Sequence, residues 1–211
     1  MTNIFGFGET HKDYKIKVFN EREIRAAAGI LFLFAILAFM NSFLLWDFFW
    51  TKLFVTYFLF DFIIRLFINP KFSPSIILGR YFVQNQKPEY VGAPQKKFAW
   101  TLGFLLGLIS FVLLVIFNIV GPINAIICFT CLPLLFSESV LGICLGCKVY
   151  GMFNKTDLQL CPGNVCKLEE REEIQNISYV QYIILLLAII SVILLAVSGI
   201  LNTEVTHLMG H

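Results

Sequence analysis

Ala26-Ala-Ala-Gly-Ile-Leu-Phe-Leu-Phe-Ala-Ile-Leu-Ala-Phe-Met-Asn-Ser-Phe-Leu-Leu-Trp46 contains no charged residue. A helix needs about 20 apolar residues to cross a hydrocarbon core of roughly 30 Å, and this run meets that length. It follows a largely polar arm, is too long for the apolar core of a signal peptide and lacks a small-x-small site at its end, so it reads as a retained span. Four more stretches of the same character follow, at 49–68, 98–120, 123–145 and 177–201. The composition agrees: 58% of the 211 residues are hydrophobic and only 14% are charged, against roughly a quarter charged in a soluble domain. The expected fold is an all-α, polytopic transmembrane bundle of five helices forming one membrane domain over residues 1–211.

The net charge of +2 is too small to argue for a nucleic-acid partner. Where the charges sit is more informative. Of the 16 lysines and arginines, all but Lys52 and Arg65 fall in residues 1–25, 69–97 and 146–176. Five alternating spans put these three segments on one side. Short loops rich in lysine and arginine stay cytoplasmic, which predicts an N-terminus inside and a C-terminal tail, 202–211, outside.

Two hairpins organise the chain, because the connections at 46–48 and 118–122 are too short for anything but antiparallel neighbours. Gly103 and Gly107, with Ser110 near the same face, form a small-residue stripe that lets two backbones approach closely. It suits either packing within the chain or a homo-oligomer. The 69–97 connection contains Pro70, Pro74, Pro88 and Pro94, each of which biases its predecessor away from helical angles. It reads as an ordered cytoplasmic loop. Within it a short interfacial helix over 75–83 is expected to meet membrane lipids, with Ile76, Ile77, Tyr81 and Phe82 dipping inward and Arg80 toward phosphates. The 167–173 stretch, rich in glutamate, reads as a solvated helical segment without chemistry.

The six cysteines form three pairs: Cys128 with Cys131, Cys144 with Cys147, and Cys161 with Cys166. The first lies inside the fourth span, where cysteine acts as a small apolar residue. Cys144-Leu-Gly-Cys147 sits where that span reaches the cytoplasmic face, and a Cys-x-x-Cys there suggests redox or sulfur-transfer chemistry with Cys161 and Cys166 as a resolving pair. If the fourth helix ends at 145, the motif lies at a helix C-terminus, whose dipole disfavours a thiolate. Lys148, or a second helix beginning near Gly146, would have to overcome it. Cys144, Cys147, Cys161 and Cys166 could instead bind zinc, iron or copper through four thiolates, although the last spacing is loose for zinc. The plainest reading is reduced cytosolic thiols in a packed loop, since a permanent disulfide is improbable in that compartment.

Ionisable residues inside spans are functional candidates by default. Asp61 and Arg65 are four apart on the second helix and can pair on one face. Glu138 in the fourth is placed at a similar depth, so the three are expected to form one polar cluster, either a structural lock or a proton relay for the nearby thiols. His207 and His211 read as a polar tail. The sequence contains no nucleotide-binding loop, Ser/His/Asp arrangement, HExxH motif or c-type haem site, so a conventional enzyme is not indicated.

Asn20-Glu-Arg-Glu-Ile-Arg-Ala-Ala-Ala-Gly29, Asn69-Pro-Lys-Phe-Ser-Pro74, Leu78-Gly-Arg80, Pro88-Glu-Tyr-Val-Gly-Ala-Pro-Gln-Lys-Lys-Phe-Ala-Trp100 and Cys144-Leu-Gly-Cys-Lys-Val-Tyr-Gly151 together resemble a bacterial membrane family, domain of unknown function 4395. The resemblance covers roughly residues 14–151. It implies a bacterial inner-membrane location and draws attention to Cys144, Cys147 and the 88–100 loop. It implies no activity. The expected function is that of a membrane thiol protein passing electrons or sulfur equivalents through Cys144 and Cys147, with a thioredoxin-like or rhodanese-like partner. A metal-binding or transport module and a non-catalytic assembly subunit are the competing classes.

Overall fold

The computed structural model describes residues 6–10, 12, 16–153 and 179–197. It is mostly helical, and among the described residues three helices are long and apolar enough to cross a membrane: Glu21–Leu45, Ala93–Ile116 and Pro122–Ser139.

Helix α1, Glu21–Leu45, begins five residues before its apolar run because Asn20 caps it. The Asn20 side chain accepts from the Arg22 amide at 3.2 Å, satisfying one of the amides otherwise left open at a helix start, and its own amide group donates to Glu23 Oε1 at 3.1 Å. A left-handed Trp46 ends the helix, and α2, Phe49–Ile63, returns antiparallel. It continues without a break into a π-helical turn, Ile64–Ile68, closed by the Asn69 amide on the Ile64 carbonyl at 2.9 Å.

The proline-rich connection is more structured than a loop. A 3-10 turn, Pro70–Phe72, leads into α3, Pro74–Val83, as expected from the sequence. Strand β2, Tyr90–Gly92, then pairs antiparallel with β1, Val18–Asn20, with Phe19 opposite Val91. The expected all-α fold lacks this small sheet. It ties the N-terminal arm to the connection, reinforced by the Glu21 amide on the Glu89 carbonyl at 2.6 Å.

Helix α4, Ala93–Phe111, starts five residues earlier than expected because Pro94 occupies its first turn, where a missing amide costs nothing. It ends in a second π turn, Val112–Ile116. Helix α5, Pro122–Ser139, stops six residues short of the expected 145. Gly142 adopts φ +66°, the Ile143 amide turns back to the Ser137 carbonyl at 2.9 Å, and a separate helix α6, Leu145–Phe153, begins. The chain divides into two compact units, 1–167 and 168–211. Of the second, the structure describes α7, Tyr179–Val197, an uninterrupted apolar helix within the expected 177–201 span.

In the first unit α1 is the central helix, touching α2, α3 and α5, while α4 touches α2, α5 and α6. The core is built from Ile24, Ala27, Ala28, Leu31 and Ala35 of α1 with Phe58, Phe62, Ile76, Trp100 and Leu135. Small residues set the crossings. A Cβ on Gly79 of α3 would stand 2.5 Å from the Glu23 carbonyl and 2.9 Å from the Ala27 nitrogen. Only glycine lets α3 lie this close to α1. A Cβ on Gly103 or Gly107 would meet the rings of Phe62 or Phe58 at 2.9 and 3.0 Å, so the α4 stripe receives the aromatic face of α2.

Candidate functional site

The expected single cluster of Asp61, Arg65 and Glu138 resolves into two. In the first, Arg65 Nε donates to Asp61 Oδ2 at 2.8 Å, the expected i,i+4 pair. The same carboxylate accepts from the Ser73 hydroxyl at 2.7 Å, the Ser75 amide at 3.0 Å and the Ser75 hydroxyl at 2.7 Å. The Arg65 guanidinium lies 4.7 Å from the Phe62 ring centroid and 5.2 Å from that of Trp100. Asp61 and Arg65 are both buried, and each charge is met by directed partners, as a buried charge requires. This cluster locks α2 to the start of α3 and has the character of a structural joint.

Glu138 belongs to the second. It sits in the last turn of α5, at the helix end and not at mid-depth, because α5 stops at Ser139. Its partner is Lys96 Nζ at 2.7 Å. Lys96 also lies 3.0 Å from Glu21 Oε2, an ion-pair contact outside hydrogen-bond angles. Glu21 in turn meets Arg25 Nε at 3.3 Å, and Arg25 donates to the Gly142 carbonyl at 3.4 Å. The side chains of Lys96 and Glu21 are 0% and 1% exposed and that of Glu138 15%. One buried ammonium therefore joins the starts of α1 and α4 to the end of α5. In the sequence Lys96 falls among the loop charges; a lysine in a polar stretch looks solvated until the fold closes over it.

The dithiol adjoins this hub. Gly146 sits on Ala99, one turn along α4 from Lys96, so tightly that a Cβ would be 2.7 Å from the Ala99 Cβ. Cys144 and Cys147 are each 4% exposed. Cys144 immediately precedes α6, so the motif opens a helix and does not end one, which reverses the expected dipole effect. The Cys147 amide points at Cys144 Sγ at 3.3 Å, and the Cys147 thiol donates to the same sulfur at 2.6 Å. The Cys147 thiol is held well above its ordinary value, first by its hydrogen bond to Cys144 and then by burial; Lys96 acts in the opposite sense. The Lys96 ammonium interacts electrostatically with both sulfurs.

Cys128 and Cys131 lie on α5 beside a cavity of about 50 Å³ lined by Ala35, Phe54, Phe58 and Leu135, an apolar setting that suits packing. Cys161, Cys166, the 167–173 stretch, His207 and His211 lie outside the described residues. Among the described residues no group of three or more metal-binding side chains converges. On α3, Arg80, expected to meet lipid phosphates, is turned to α1. It pairs with Glu23 at 2.8 Å, and that hydrogen bond is the first cause of its raised pKa. Ile76 is buried against α1, leaving Ile77, Leu78, Tyr81 and Phe82 exposed.

The segments that resemble a family are the ones assembling these joints: 20–29 caps α1 and supplies Glu21, Glu23 and Arg25, 78–80 supplies Gly79 and Arg80, and 88–100 supplies β2, Lys96, Ala99 and Trp100. Comparison with curated proteins and with solved structures found no match. The family model described as domain of unknown function DUF4395 matches residues 19–155, which takes in the capped start of α1, both ionic clusters and the dithiol. The chain belongs to that family.

Proposed function

We propose that the protein exchanges thiol and disulfide, or sulfur, equivalents through Cys144 and Cys147 at the cytoplasmic face of a bacterial inner membrane. The carrying observation is Cys144 at the start of α6 with the amide and thiol of Cys147 directed at its sulfur. Partial positive charge at a helix start and a nearby ammonium both stabilise negative charge on an attacking sulfur. Cys144 is the attacking residue, and Cys147, which keeps its proton, is the resolving one. The concentration of lysine and arginine in 1–25, 69–97 and 146–176 supports five spans with the N-terminus inside. The dithiol then faces the reducing compartment.

Both sulfurs are buried, so a thioredoxin-like or rhodanese-like partner would need a local opening of the fold to reach them. Cys161 and Cys166 are candidates to accept the disulfide from Cys144 and Cys147. Thiol redox titration with mass-spectrometric mapping of all six cysteines tests the reading. Cys144 and Cys147 should convert together as one two-electron couple, and Cys147→Ser should trap a partner as a mixed disulfide on Cys144. The reading is overturned if both sulfurs stay reduced throughout the titration, if Cys144→Ser and Cys147→Ser leave cellular function intact, or if elemental analysis finds stoichiometric zinc, iron or copper lost on their substitution.

A further inference from the structure

Closing the Cys144–Cys147 disulfide requires Cys147 to lose its proton, yet its side chain has almost no contact with solvent. We propose that the Glu138 carboxylate accepts that proton, with Lys96 and Glu21 as positioning residues that hold it beside the dithiol. This deepens the thiol-exchange reading and rests on it.

The fold brings the groups together along one short stretch of α4. Lys96 fixes Glu138 Oε1 at 2.7 Å, and one turn on, Ala99 receives Gly146, the residue just before Cys147. From the α5 side, only the turn closed by the Ile143 amide on the Ser137 carbonyl separates Glu138 from Cys144. Of the triad, Glu138 is the member with exposed surface, 15% against 1% and 0%, so it is the one from which a proton can leave the cluster. Among the described residues, Arg25 faces Glu21 and the Gly142 carbonyl from α1 and lies 3.8 Å from Glu89. As charges, Lys96 favours loss of the Cys147 proton and Glu138 opposes it, so the part assigned to Glu138 is that of acceptor and rests on its position.

The chemistry can be followed with 4,4′-dithiodipyridine, a small neutral disulfide. Cys144 Sγ attacks one probe sulfur, the probe S–S bond breaks, and the first pyridinethiol leaves with the electron pair and takes up the proton that Cys144 gives up. The Cys147 proton then moves to Glu138 while Cys147 Sγ attacks Cys144 Sγ. The internal disulfide forms, and the second pyridinethiol leaves with its electron pair. The cysteine pair loses two electrons, the probe gains two, and Glu138 returns its proton to water.

The test uses the full chain in lipid nanodiscs with Cys128, Cys131, Cys161 and Cys166 replaced by serine. Two successive releases of pyridinethione report attack and resolution. Positioned bases contribute roughly 10²–10⁴-fold. Glu138→Gln should therefore lower the ratio of the second rate to the first at least about tenfold at pH 7, with recovery near pH 10 where hydroxide replaces the carboxylate. Glu138→Asp should keep the ratio within about threefold of the parent. A Gln ratio within about twofold of the parent, or an Asp variant as slow as Gln, overturns the proposal. Should the Gln variant fail to fold, the unsubstituted glutamate chain still decides. Its second step should be flat from pH 7 to 9, whereas a rise of about tenfold per unit means hydroxide is the base and overturns it. Absence of any second release from the parent overturns the thiol-exchange reading itself, a different failure.

Discussion

Replacing Lys96 by methionine leaves Glu21 and Glu138 buried without the ammonium between them. A pair of unit charges near 3 Å at an effective dielectric of about 20 gains ~5–6 kcal/mol before desolvation is counted, and Lys96 has two such contacts, at 2.7 and 3.0 Å. Much of this is cancelled by the cost of burying three ions, so the pair energies do not measure net stability. What remains on deleting one partner of a buried ion group is about 3–5 kcal/mol, because the surviving charges stay uncompensated. Arg25 can neutralise Glu21 in part, since it already contacts Oε1 at 3.3 Å, which places the expected loss near the lower end, about 3 kcal/mol. At ~2–4 °C per kcal/mol for a chain of this size, Lys96→Met should lower the melting temperature in detergent by about 6–12 °C. The triple variant Lys96→Met, Glu21→Gln, Glu138→Gln should recover most of that loss, because no buried charge is then left unpaired. Thermal scanning with size-exclusion readout measures both. A single variant within about 2 °C of the parent, or a triple variant no better than the single, would refute the ionic hub as a coupled unit.

Three further outcomes are expected. Gly79→Ala should destabilise by about 2–3 kcal/mol, despite alanine's ~1 kcal/mol better helix propensity, because the new Cβ meets backbone atoms of α1 at 2.5 and 2.9 Å; a melting point at or above the parent's would contradict the close crossing. Gly107→Leu should destabilise the single chain and be partly rescued by Phe58→Ala, the ring that a Cβ would meet at 3.0 Å, with no change in mass by light scattering; loss of a multimer would instead identify a face between copies. The raised pKa of Cys147 sets a pH dependence: the unfolded chain releases this proton first, near the ordinary 9.0. Stability of the reduced protein should be level below about pH 8 and fall above about 9, by up to ~1.36 kcal/mol per unit. Cys147→Ala should flatten that slope in chemical-denaturation curves taken from pH 7 to 10.

Much of the fold is legible because hydropathy is a sum over many residues. The apolar runs at 26–46, 49–68 and 98–120 each overlap the helix found there, and the Asp61–Arg65 pair follows from helical spacing alone. Helix starts are harder to read, because they depend on single residues. Asn20 with Glu23 is a capping signature that moves α1 back to Glu21, and Pro94 reads as a breaker unless it is recognised as a first-turn residue. The sheet joining Val18–Asn20 to Tyr90–Gly92 pairs segments some seventy residues apart, and no local pattern announces such a partner.

The dithiol shows most plainly what hydropathy cannot separate. Val140, Leu141 and Ile143 continue the apolar pattern of α5, so an average over a window passes straight through the turn that ends it. The local signal is Gly142, the one described glycine of this segment at positive φ, where a side chain would also strike the Arg25 guanidinium at 2.5 Å. Moving the helix end from 145 to 139 reverses the electrostatics of Cys-x-x-Cys: at a C-terminus the carbonyl ends oppose a negative sulfur, and at the start of α6 the amides face it. The same shift takes Glu138 from mid-span to a helix terminus, within reach of Lys96 and off the path to Arg65. One turn of backbone therefore converts an unfavourable thiol motif and an acid expected to join Asp61 and Arg65 into neighbouring parts of one buried site.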